Sequence, residues 1–224
     1  MLIRFVPCFF FFFNFCFQLF PMRRNTNLDS NIILCSAHFA LGIISIWALK
    51  YVNIKASNSY VNFTITFVYS LFGVLCHTHP YAGKTLHTAS AFLNLLVKLI
   101  GLVLYTFDVA ILTKRYNSFL LLISCALTSL IIIINYFKCE SMKLYLNNFF
   151  MVWNISIITS IAFRQNEPYW LIGMVALLIL NHFILNAILK SIHTTSLHSH
   201  EVSVIGLCFF TIFALNSVNE ICSS

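Results

Sequence analysis

A lysine in the middle of an apolar stretch is the first residue of this chain that could do chemistry. Lys98 lies well inside the run 86–112, where inserting such a charge costs from about 2.5 kcal/mol upward. A charge retained at that cost marks an ion or substrate path; the plainer alternative is a side chain that snorkels or packs against polar groups of other helices. Asp108 follows in the same run. Ten residues of helix separate the two by about 80° in azimuth and about 15 Å in rise, too far for a direct salt bridge. Lys98 therefore needs its partners from another helix.

Two other runs offer them. His182, Asn186 and Lys190 recur at i, i+4 and i+8, and Asn147 and Asn154 at i and i+7, so each set shares one helix face. Lys98, Asp108, Asn154, His182 and Asn186 are accordingly the candidate lining of a hydrated polar cavity. The competing use of these groups is hydrogen bonding between packed helices, at about 0.6–2 kcal/mol each.

Histidines form the second constellation. His77, His79 and His87 sit between the second and third runs or at their edges, and His193, His198 and His200 between the sixth and seventh. In a seven-span chain both links fall on one side of the membrane. The pairs His77/His79 and His198/His200 are weak candidates for a zinc or copper site, or for a group that titrates near neutrality. Solvated histidines are the plainer reading. The eight cysteines show no CxxC and lie mostly within apolar stretches, the pattern of small apolar residues rather than of disulfides or a metal cage.

The elements that must position these groups are set by composition. With 60% hydrophobic and 8% charged residues and a net charge of +7, the 224-residue chain is far less charged than a soluble domain, for which roughly a quarter is usual. Seven apolar runs, at 32–49, 61–76, 86–112, 118–137, 144–163, 169–189 and 202–218, fill it almost end to end. A hydrocarbon layer about 30 Å thick needs roughly 20 helical residues to cross, and lipid offers no partner to an open backbone amide. The expected fold is an all-α polytopic transmembrane bundle of seven spans, eight if the N-terminal apolar segment is added. Residues 22–224 make one domain; the low-complexity stretch 1–21 is either an extra membrane segment or an extension ahead of a start at Met22.

All four prolines fall outside the seven runs, so unbroken helices are expected. The second and seventh runs are short enough to tilt little or thin the bilayer. Basic residues scatter singly or in pairs near span ends, which suits headgroup anchoring and excludes nucleic acid as a partner. Counted from Met22, six lie on the N-terminal side and five on the other; Arg23 and Arg24 favour a cytoplasmic N-terminus. The sequon Asn62-Phe63-Thr64 is a weak glycosylation site, being so close to the second run.

Tiny links, unbroken helices and the lack of a nucleotide or hydrolase motif point to a non-enzymatic, multi-pass integral membrane protein with no catalytic residue and no cofactor. It would act through helix–helix contacts, as a subunit, chaperone or scaffold, with the bilayer and other membrane-protein subunits as partners. The first alternative is a small transporter or channel for protons, metal ions or a polar solute. The second is a zinc-dependent intramembrane lipid hydrolase, although the HxxxH and SxxxH spacings of that class do not occur in the expected places.

Overall fold

Long apolar runs without proline can satisfy their backbone amides only internally, and each run is helical over its described residues. The computed structural model describes residues 26–78, 83–115, 118–137, 140–164, 169–185 and 196–223. Helices α1 (Thr26–Tyr51), α2 (Ser57–Thr78), α3 (Lys84–Leu112), α4 (Ser118–Tyr136) and α5 (Glu140–Ala162) are followed by α6 (Tyr169–Ile179), which passes into a π-helical turn over Leu180–Leu185, and by α7 (Ser196–Ser223). No strand occurs among the described residues. The segment 1–21 lies outside them.

Six helical stretches (Ile32–Tyr51, Ser57–Thr78, Lys84–Leu112, Ser118–Asn135, Met142–Ala162 and His200–Ser223) are long and apolar enough to cross a membrane, and Tyr169–Ile184 is a shorter apolar one. Such a set fits a membrane-embedded protein. Two expectations change. The second and seventh helices are not short: at 22 and 28 residues they rise about 33 and 42 Å. Hydropathy underestimates them because polar residues at their ends, such as Asn58, Ser59, Asn219 and Glu220, bond to neighbouring helices instead of ending the helix. The sixth helix is not uniform either, since its α-turns give way to π-turns at Leu180.

Successive helices run antiparallel. The end of α3 meets the start of α2 through Asp108 and Asn58, the end of α7 meets the start of α6 through Glu220 and Trp170, and the π-turn after α6 meets the start of α5 through His182 and Asn148. One apolar core joins the helices, with Ala48, Phe63, Tyr105, Phe150, Met174 and Leu215 each fully or almost fully buried. Outward faces are apolar as well: Phe119, Leu122 and Ile133 of α4 and Leu144, Phe149 and Val152 of α5 are exposed. Water would penalise that surface; hydrocarbon does not.

Glycines set the closest approaches. A Cβ on Gly101 of α3 would stand 2.6 Å from Asn62 Oδ1 of α2, and one on Gly73 of α2 would stand 2.2 Å from His38 Nδ1 of α1. Neither distance is compatible with a side chain, so both glycines are required where they stand.

Candidate functional site

A cavity of about 350 Å³ opens between α3, α5, α6 with its π-turn, and α7. Its polar lining comes from Lys98, Asn147, Asn181, His182 and Ser203, and its apolar lining includes Leu102, Phe150 and Phe210. Lys98 lines this cavity and is exposed rather than packed in the core. His182 bonds Asn148 Oδ1 at 3.0 Å, which orients the ring. The Asn147 Oδ1 atom is buried with no hydrogen-bond partner among the described residues. Asn181 stands against Gly206, where a Cβ would come within 2.5 Å of its Nδ2. The π-turn carries both Asn181 and His182; single π-turns inside helices are frequently found at functional sites.

Of the five residues expected to share a cavity, Lys98 and His182 do. Asn186 lies outside the described residues. Asp108 is elsewhere, only 2% exposed, with its carboxylate turned to the start of α2. Oδ1 accepts from Asn58 Nδ2 at 2.9 Å and from the Asn58 amide at 3.3 Å, and Oδ2 accepts from the Ser59 amide. A helix leaves its first amides without internal partners, and Asp108 supplies the acceptor from another helix. Asn154 is fully buried, donating to Phe150 O at 2.9 Å and accepting from Thr106 Oγ1 at 3.4 Å. Both belong to the scaffold around the cavity. Asn62, the sequon residue, is 1% exposed on the α2 face that meets Gly101, which leaves no room for a glycan.

The second constellation is a histidine cluster. His38 of α1, His77 near the end of α2 and His200 near the start of α7 bring one ring nitrogen each within 4.8 Å of one another. The His38 ring stacks on His77 with centroids 5.8 Å apart and lies 5.9 Å from His200. His38 is fully buried, and neither of its nitrogens has a hydrogen-bond partner among the described residues. Tyr69 packs edge-on against it at 5.0 Å. The Lys98 ammonium lies within electrostatic reach of His200, so cluster and cavity are neighbours.

His77 and His200 were legible as weak metal candidates; His79 and the His198 side chain lie outside the described residues. The residue that sequence reasoning missed is His38. It stands alone in the first apolar run with no HxH partner, and spacing along one strand of sequence cannot reveal a cluster built from three helices. The available signal was an imidazole deep in an apolar span, which needs a partner for the same reason as Lys98.

No protein-family model, no curated protein and no solved structure matches this chain.

Proposed function

We propose that this is a seven-span membrane protein whose intrabundle cavity takes a small polar anion, in the manner of a small transporter or channel. The observation that carries the reading is Lys98: an ammonium on the wall of a cavity whose other polar groups are amides, an imidazole and a hydroxyl, with no carboxylate among the lining residues. Such a lining offers hydrogen-bond donors and one positive charge, which recognises an anion and repels a free cation. An intramembrane charge facing a cavity is a functional site by default. The apolar residues between the polar ones lower the local dielectric and strengthen the attraction. A scaffold or subunit role, the first expectation from sequence, requires no cavity and leaves Lys98 only to snorkel or to pack against polar groups of other helices.

The test is flux. Purified protein in anionic-lipid-free vesicles should pass at least one of chloride, phosphate or a short monocarboxylate. Lys98→Ala should lower that flux about tenfold or more, and Lys98→Arg should keep much of it. Gly206→Ala, whose Cβ would overlap Asn181 on the cavity wall, should reduce flux through the protein that still folds. Flux of no tested anion, or Lys98→Ala passing anions at the unaltered rate, refutes the reading.

A further inference from the structure

We infer that His38, His77 and His200 form a binding site for one divalent transition-metal ion of the zinc class, held between α1, α2 and α7.

Burial is the first ground. His38 is fully enclosed, and both its nitrogens lack a hydrogen-bond partner among the described residues. A buried polar group left in that state costs about 1–3 kcal/mol. A metal bound to one nitrogen removes that cost for a ligand atom aimed at the cluster.

Room for the ring is the second. The α2 backbone opposite His38 is Gly73, and any Cβ there would overlap the imidazole, at 2.2 to 2.4 Å from three of its atoms. Small residues at a helix crossing usually let backbones approach; this one admits a ring.

Geometry is the third. Three imidazoles sharing a metal at Zn–N distances of about 2.0–2.1 Å place their ligand nitrogens about 3.3–3.6 Å apart in tetrahedral or trigonal geometry. The nitrogens here lie within 4.8 Å of one another, so contraction by little more than 1 Å closes the site. His77 and His200 are half-buried at opposite helix ends and can supply that movement.

The donor set fixes the class of ion. Neutral imidazoles suit zinc, copper, nickel or cobalt, whereas calcium and magnesium require oxygen ligands. Three protein ligands leave a fourth position open, as in sites that bind an exchangeable group rather than purely structural ones. With the Lys98 ammonium within reach of His200, a dication is best tolerated when an anion fills that position. The site stands independently of the flux reading, because its occupancy is measured with no solute present.

The test is metal stoichiometry on the full chain, purified in detergent with a tag free of histidine, stripped with a chelator and reloaded with Zn²⁺ or Co²⁺. One equivalent of zinc should survive desalting, and cobalt should give the intense visible bands of a four-coordinate nitrogen and oxygen site. His77→Gln and His200→Gln should each weaken binding about tenfold or more, the size of effect expected for groups at a metal centre. Gly73→Ala, with all three histidines intact, should also weaken binding, read only on protein that remains monodisperse and helical. The two glutamine variants alter half-buried positions, so binding remains readable even where His38→Ala fails to fold. Monodisperse protein holding no zinc, or glutamine variants that bind as tightly as the unaltered chain, overturns the inference.

Discussion

Replacing Asp108 by Asn separates a scaffold role from a place on the solute path. The carboxylate accepts from the Asn58 side-chain amide at 2.9 Å, from the Asn58 backbone amide at 3.3 Å and from the Ser59 amide, all at the start of α2. Hydrogen bonds to an ionised acceptor contribute about 1.5–3 kcal/mol each, and a negative charge at a helix N-terminus adds about 0.3–1 kcal/mol. The 3.3 Å contact counts for little, which leaves two strong bonds. Asn keeps one acceptor oxygen, loses the charge and turns an NH₂ group toward a donor. Removing a buried charge also relieves its desolvation, so the net loss should be about 2 kcal/mol, and about 3 kcal/mol for Asp108→Ala, which leaves the amides bare. A loss of 2 kcal/mol lowers the folded-to-unfolded ratio about 30-fold. Unfolding in mixed detergent micelles, followed by helical circular dichroism and tryptophan fluorescence, reads that shift directly. A change below about 0.5 kcal/mol would refute the capping role. So would a variant of full stability whose anion flux has vanished, since that result puts Asp108 on the path.

Two smaller substitutions test the same scaffold. Tyr105→Phe removes a buried hydroxyl bonded to Ser217 Oγ at 2.7 Å and should cost about 1 kcal/mol; a double-mutant cycle with Ser217→Ala should assign most of that loss to the pair. Lys114→Gly should raise stability by about 0.5–1 kcal/mol in the same unfolding assay, because Lys114 holds a left-handed φ of 54° just after α3 that glycine adopts without steric cost.

The helical architecture was legible because its cause is local. A run such as 118–137 is apolar at almost every position, and lipid leaves such a segment no choice but helix. Helix ends were less legible. Asn219 bonds the Tyr51 carbonyl at 3.1 Å and accepts from the Asn53 amide at 3.2 Å, so α7 runs on past the apolar core that hydropathy detects. The π-turn at Leu180–Leu185 carries no proline and no glycine to announce it. Lys98 was found from its cost alone, and His182 from its face. Asp108 shares the helix and the charge logic of Lys98, yet it serves the start of α2, a partner 50 residues away in sequence. His38 escaped because its partners lie on two other helices.

Polar groups divide along the bundle in a way that separates holding from binding. Where α3 and α7 end, Asp108 satisfies the first amides of α2, Glu220 accepts from the Trp170 amide at 3.1 Å, and Asn219 ties the turn between α1 and α2. Those groups are saturated by the protein itself, so they hold helices together and offer nothing to a ligand. Toward the opposite end lie His38, Asn147 and Tyr69, each with a buried polar atom that has no hydrogen-bond partner among the described residues, together with the cavity carrying Lys98. Each such atom costs about 1–3 kcal/mol, and a chain selected only to pack would replace it with an apolar residue of similar size. Ser59 Oγ and the Asn62 amide, nearer the start of α2, also lack a partner among the described residues; what sets this half apart is that its unpartnered atoms adjoin the cavity and the imidazole cluster, where the proposed ion or solute would supply what the protein does not. Ligand-dependent stabilisation should therefore be abolished by substitutions at His200 or Lys98 and retained by those at Tyr105 or Lys114.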